Sequence, residues 1–129
     1  MYHEVIESPE APLPLGTYTQ ARKAGNMIFL SGQAPIDPVE GSLAACTPEV
    51  QIRQCLKNLA AVARQAGGSL DDVVKVTVFL TDFGDFPIVN RCMAEFFSEP
   101  YPARSAVGAV ALPAGGAVAI EAIMMLETC

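Results

Sequence analysis

Ala117-Val-Ala-Ile-Glu-Ala-Ile-Met-Met-Leu126 is an aliphatic run interrupted by a single charge. Read with the two-residue period of a strand, it puts Val118, Ile120, Ala122 and Met124 on one face. Ala119, Ile123 and Met125 surround Glu121 on the other. Both faces are apolar, so both need cover. Just upstream, Arg104-Ser-Ala-Val-Gly-Ala-Val-Ala111 alternates as a second strand, and Leu112-Pro-Ala-Gly-Gly116 turns the chain between the two. A guanidinium and a carboxylate on apolar strands call for partners, because unpaired charge in apolar surroundings is costly. Two arrangements satisfy them: a structural ion pair, or an anion clamp with a water-handling acid beside it.

Further upstream, Val73-Val-Lys-Val-Thr-Val-Phe-Leu80 is β-branched and alternating, hence a third strand. Before it, a helix is expected from Thr47. Thr47 suits an N-cap, Pro48 the first helical position and Glu49 the positive end of the dipole. Ile52, Cys55, Leu56, Leu59, Val62, Ala63 and Ala66 form its apolar stripe, and Gly67-Gly68 closes it. A shorter helix is predicted over Phe86–Phe97, capped by Asp85, with Val89, Met93, Phe96 and Phe97 inward. Thr17–Ala24 and Met27–Ser31 read as two strands joined at Gly25-Asn26 by a primed turn, and 32–41 reads as loop. Residues 1–16, with Pro9, Pro12 and Pro14, read as an extended arm of a single domain over 1–129.

The resulting order is β-β-α-β-α-β-β, an α+β chain. Two helices on one sheet face leave the other uncovered. Hydrophobic residues make up 51% of the chain and charged residues 17%, too little charge to coat a small domain. Burying half a dozen aliphatic side chains per copy at ~1.5–3 kcal/mol each favours association by on the order of 10 kcal/mol before ordering costs. A small closed ring with ligand clefts between copies is therefore expected.

A net charge of −6, with scattered basic residues, disfavours nucleic acid and anionic membrane as partners. Cys46, Cys55, Cys92 and Cys129 lack metal-ligand or disulfide spacing, and His3 is the one histidine. No metal site is expected, and reduced thiols point to the cytoplasm. The acidic start has no apolar core of a signal peptide, and no run is long enough to span a bilayer.

Several stretches, in order, resemble the RidA (YjgF-type) family of enamine/imine deaminases. They are Gly16-Thr-Tyr-Thr-Gln-Ala21, Leu30-Ser-Gly-Gln-Ala-Pro-Ile-Asp-Pro38 and Lys75-Val-Thr-Val-Phe-Leu-Thr-Asp82. Asp85-Phe86 with Val89-Asn90, Ala94-Glu-Phe-Phe97, Tyr101-Pro-Ala-Arg-Ser105 and Ile120-Glu-Ala-Ile123 complete the set. The resemblance implies a chorismate-mutase-like fold, a mixed sheet with two helices on one face, assembled as a homotrimer. It implies hydrolysis of 2-aminoacrylate-type enamines and their imines to 2-keto acids and ammonia, without a cofactor. Arg104 would hold the substrate carboxylate and Glu121 would orient the attacking water. Tyr18, Ser31, the Gly32 carbonyl and Asn90 would line the pocket, and the Ala106 backbone would help hold the substrate. Residue type alone offers plainer readings: Tyr18 as a strand aromatic, Ser31-Gly32 as a turn, Asn90 as a loop tether. Three positions depart from the common pattern: Ala106 for a frequent Cys, Thr17 for Pro, and Met93 for an aromatic. A non-catalytic carboxylate-binding module, a pathway-specific aminomuconate-like deaminase and RNA cleavage are the competing readings.

Overall fold

Thr47 opens the longest helix, α1 (Pro48–Gln65): its backbone is extended and its hydroxyl accepts the Val50 N–H. At the other end the Gly67 and Gly68 N–H groups return to the carbonyls of Arg64 and Ala63. These are the two bonds of a Schellman motif, and Gly67 supplies the positive φ (98°) that it requires. The computed structural model describes residues 3–127. It has a second helix, α2 (Phe86–Phe96), and six strands. These are β1 (His3–Ile6), β2 (Ala21–Ala24), β3 (Met27–Gln33), β4 (Val73–Leu80), β5 (Ala103–Gly108) and β6 (Val118–Met125).

All six strands form one mixed sheet in the order β1-β2-β3-β6-β4-β5. Every pair is antiparallel except β4–β5, whose parallel pairing is made possible by the α2 crossover. Alternation decides what the sheet buries. Ile28, Leu30, Val76, Val78, Leu80, Val118, Ile120 and Met124 turn inward and join Ile52, Leu56, Leu59, Val62, Val89 and Met93 in one core. Their neighbours on the opposite face stay open: Phe29 is 45% exposed, Val107 41% and Met125 43%. The expected two-sided character of β6 and the uncovered sheet face are therefore both present.

Four expectations need correction. The arm is not merely extended: His3–Ile6 pairs with β2, burying Ile6 and covering the outer edge of that strand. Residues 1 and 2 of the arm and Cys129 lie outside the described residues. The strand expected from Thr17 begins only at Ala21, because the Ser31 hydroxyl and N–H take the carbonyls of Thr19 and Gln20 before it. The Arg104 strand stops at Gly108, where β4 ends and there is nothing further to pair with. Asp85 does not cap α2: it is already in helical conformation as the end of a 3-10 turn, and Asp82 accepts the Gly84 N–H instead. At Gly25-Asn26 only the glycine has positive φ, the signature of a type II′ hairpin.

Candidate active site

Glu121 sits mid-strand on β6, opposite Thr77 of β4. On its other side the pairing with β3 slips. Leu30 faces Ala122 and Gln33 faces Ile120, so Ser31 and Gly32 together stand opposite Glu121 alone. This is a β-bulge, a device that re-aims side chains and often borders active sites. The strand expected to end at Ser31 thus runs on to Gln33 with a kink at the carboxylate, and the loop follows from Ala34. A Cβ added at Gly32 would meet nothing within 4 Å, so the backbone there is open to the cleft in front of Glu121.

That cleft has a volume of about 690 Å³. The open sheet face forms its floor at Phe79, Ala119 and Glu121, and Ile36, Leu112 and Pro113 flank it. Its far wall is the segment between β1 and β2, which folds over as a strap carrying Pro12, Leu13, Leu15 and Tyr18. Tyr18 is on this strap, not on a strand, and its phenol oxygen accepts the Leu15 N–H at 3.0 Å. The phenol's own proton remains available to a ligand. Ser31 is tied to the strap's end: its hydroxyl donates to the Thr19 carbonyl at 2.6 Å and its N–H to the Gln20 carbonyl. Tyr18, Ser31, Gly32 and Glu121 therefore share one cleft.

Arg104 belongs to a second depression, lined by Asn90, Met93, Ala94, Tyr101 and Pro102. Its guanidinium donates to Asn90 Oδ1 at 2.6 Å, lies 4.7 Å from the centre of the Phe86 ring and touches Met93 Sδ at 3.6 Å. Phe86, Asn90 and Met93 recur at i, i+4 and i+7, so one stripe of α2 cradles the head group. Among the described residues the ion pairs are Arg53 with Glu49 and Glu95, and Arg91 with Glu49. Arg104 has no carboxylate partner among them, and the structural ion pair with Glu121 is not formed.

Register explains why. Arg104 pairs with Val76, and Val76 with Ala122, all directed to the helix side. Ser105 pairs with Thr77, and Thr77 with Glu121, all directed to the open side. Within one chain Arg104 and Glu121 are on opposite faces of the sheet, contrary to the expectation that they stand side by side. Ala106 shares the face of Arg104 and pairs with Val78, on an edge strand whose outward backbone groups have no strand partner among the described residues. Asn90 stands with Arg104, away from Tyr18, Ser31 and Gly32. Sequence reasoning missed Phe86 as a cradle, although its spacing from Asn90 could have revealed it. It also missed Gln20, Leu13 and Leu15.

Known proteins resemble this arrangement throughout. The family described as "Endoribonuclease L-PSP" matches residues 8–126. The RutC family protein y4sK of Sinorhizobium fredii is 50% identical over 123 residues, 95% of this chain and 98% of that protein. A 2-iminobutanoate/2-iminopropanoate deaminase of Dermatophagoides farinae is 40% identical, over 95% of this chain and 96% of its own length. The crystal structure of RidA from the Antarctic bacterium Psychrobacter sp. superposes with a TM-score of 0.93 at 45% identity, covering 95% of this chain and 99% of that one. With nearly every residue of the sheet, helices and both depressions inside these matches, the protein is a member of the RidA (YjgF-type) family.

Proposed function

We propose that the protein hydrolyses 2-aminoacrylate-type enamines and their imine tautomers to 2-keto acids and ammonia. The observation that carries this reading is the Arg104 head group. It is held by Asn90 and Phe86, matched by no carboxylate among the described residues, and open to a ligand. A guanidinium oriented by one amide and one ring keeps further N–H donors for a bidentate grip on a carboxylate.

The chemistry asks little more of the protein. Protonation at the β-carbon turns the enamine into an iminium whose C2 is electrophilic. Water, oriented by Glu121, adds to C2 and gives up a proton. The nitrogen of the resulting carbinolamine takes a proton and leaves as ammonia with the C–N electron pair, while an oxygen lone pair closes the C=O bond and the hydroxyl gives up its proton to leave the keto acid. Orientation and proton transfer suffice, with no strong nucleophile. Tyr18, Ser31 and the Gly32 carbonyl would line the Glu121 side, with Asn90 and the Ala106 backbone on the Arg104 side.

Because the two charges occupy opposite faces in one chain, the complete site is read as shared. The Arg104 edge of one copy would meet the Glu121 cleft of the next, in a homotrimer closed over the open sheet face. The exposed Phe29, Val107 and Met125 support such closure.

The test is keto-acid release from 2-aminoacrylate generated in situ by a serine-type dehydratase. Wild-type protein should accelerate release over the spontaneous rate, and Arg104→Ala should abolish the gain without changing the oligomer. Acceleration that survives in Arg104→Ala contradicts the mechanism. Saturable keto-acid binding without acceleration would instead favour a carboxylate-binding regulatory module, and preference for a larger aminomuconate-like enamine a pathway-specific deaminase. The description of the matched family as an endoribonuclease raises RNA cleavage. The net charge of −6 opposes it, and salt-sensitive RNA binding would be needed to sustain it.

A further inference from the structure

We propose that Gln20 is a positioning residue. It fixes the strap over the Glu121 cleft and thereby makes the site selective for acids that carry a branched apolar side chain. The inference rests on reading this cleft as the place where a 2-imino or 2-keto acid binds. Pro9, Pro12 and Pro14 supply no N–H, so the strap cannot pair as a strand. Its own backbone bonds are short-range, Ala11 to Ser8 and Tyr18 to Gly16. Its end is tied to Ser31 through Thr19 and Ala11 is buried in the core, while residues 8–12 are fixed by the Gln20 amide, 2% exposed. Gln20 Oε1 accepts the Ser8 N–H at 2.6 Å, and Nε2 donates to the carbonyls of Ser8 at 3.1 Å and Pro12 at 2.9 Å. Only a side chain that both accepts and donates can make this set; a carboxylate has no proton for the two carbonyls. The Gln20 carbonyl meanwhile holds the Ser31 N–H. One residue therefore sets the distance between the strap and the bulge facing Glu121.

The strap presents hydrocarbon. Leu13 is 84% exposed and Leu15 61%, both held at the cleft mouth opposite Ile36, Leu112 and Pro113. In one chain, before a neighbouring copy closes over it, the cleft has a volume of about 690 Å³, within the range of small-molecule sites. Tyr18, Ser31 and Glu121 supply the polar end of the cleft, and the strap leaves an apolar space beyond it that a substrate's side chain would fill.

The experiment is calorimetric titration of wild-type, Leu15→Ala and Gln20→Glu proteins with pyruvate and with 4-methyl-2-oxopentanoate, alongside backbone hydrogen exchange. Wild-type protein should bind the branched acid about tenfold more tightly, the scale set by a few added carbons in an apolar pocket. Leu15→Ala, at an exposed position where folding is not at stake, should lower that ratio about threefold. Gln20→Glu should bring the ratio close to one and speed exchange in residues 8–16 while β4 stays protected. A wild-type ratio near one, or a ratio unchanged in both variants, overturns the proposal. So does an equal loss of affinity for both acids in Gln20→Glu, which would leave the residue a purely structural part. The predicted ratio without imine turnover would defeat the hydrolase reading and leave this inference standing. Turnover without the ratio would do the reverse, and absence of both keto-acid binding and imine turnover would defeat both.

Discussion

The two depressions differ in how their key charge is held. Arg104 reaches its depression from an edge strand and is gripped by a stripe of helix α2 through an amide oxygen, a ring face and a sulfur. Glu121 lies in the middle of the sheet, and what surrounds it is irregular: a bulge at Ser31-Gly32 and a proline-punctuated strap. The first half is built by helical periodicity and core packing. The second is built by side chain to backbone bonds that break periodicity. The sheet then separates the halves, since pairing partners of Arg104 face the helices and those of Glu121 face away. A single chain thus carries the two proposed half-sites on opposite faces of the sheet.

The largest effect is expected where the substrate's charge is met. Arg104→Ala should lower kcat/KM for imine hydrolysis by at least about a hundredfold, because a charge-assisted bidentate contact contributes ~3 kcal/mol. Arg104→Lys should recover little, as a point charge cannot reproduce the fork. Glu121→Gln keeps the shape but loses the proton acceptor, and kcat should fall about a hundredfold with KM nearly unchanged. Steady-state assays separate the two halves on this basis: a KM-dominated loss for Arg104 and a kcat-dominated loss for Glu121. If both variants lose only kcat, the division of labour is wrong.

Smaller changes sharpen the contrast. Gly32→Ala meets open space, so thermal stability should hold, while the added methyl narrows the Glu121 cleft and should weaken keto-acid binding about tenfold. Phe86→Leu keeps an apolar group under Arg104 but removes the ring, and affinity for a carboxylate should drop about fivefold, the scale of one cation–π contact. Equal effects of these two variants on both affinity and turnover would blur the distinction between the halves.

The smallest effect concerns the core that both halves share. Burial pushes the Cys55 thiol well above its ordinary value of 9.0, and Cys92 is raised for the same first reason. A group whose folded value lies above its unfolded one stabilises fully below the unfolded value and loses that contribution as pH rises past it. Denaturant midpoints should therefore hold below pH ~9 and decline above it. At neutral pH an alkylating reagent followed by mass spectrometry should mark Cys46, which is exposed, and spare Cys55 and Cys92.

Much of the frame was legible because it obeys a period. The stripe from Ile52 to Val62, the cap at Thr47 and the alternation of Val73–Leu80 and Val118–Met125 each follow from local chemistry that tertiary packing did not override. Arg104 and Glu121 stood out as charges on apolar strands, and the family resemblance supplied their proposed roles. Their separation was not legible, because strand parity across three paired strands depends on a register that no single segment encodes. Thr17–Ala24, leading into the Gly25-Asn26 turn, reads as a hairpin strand that carries Tyr18. The bonds from Ser31 to Thr19 and Gln20 that end the strand early come from a residue distant in sequence. The first strand was hidden behind three prolines that follow it.

Subunit complementation tests the proposed shared site most directly. Arg104→Ala and Glu121→Gln proteins, each lowered about a hundredfold in kcat/KM alone, are unfolded together in equal amounts, refolded and assayed at subsaturating substrate. If Arg104 of one copy works with Glu121 of the next, random mixing rebuilds roughly a quarter of the sites in a closed ring, and activity should return to about that fraction of wild type. No recovery in mixed oligomers of confirmed composition would contradict a site completed between copies.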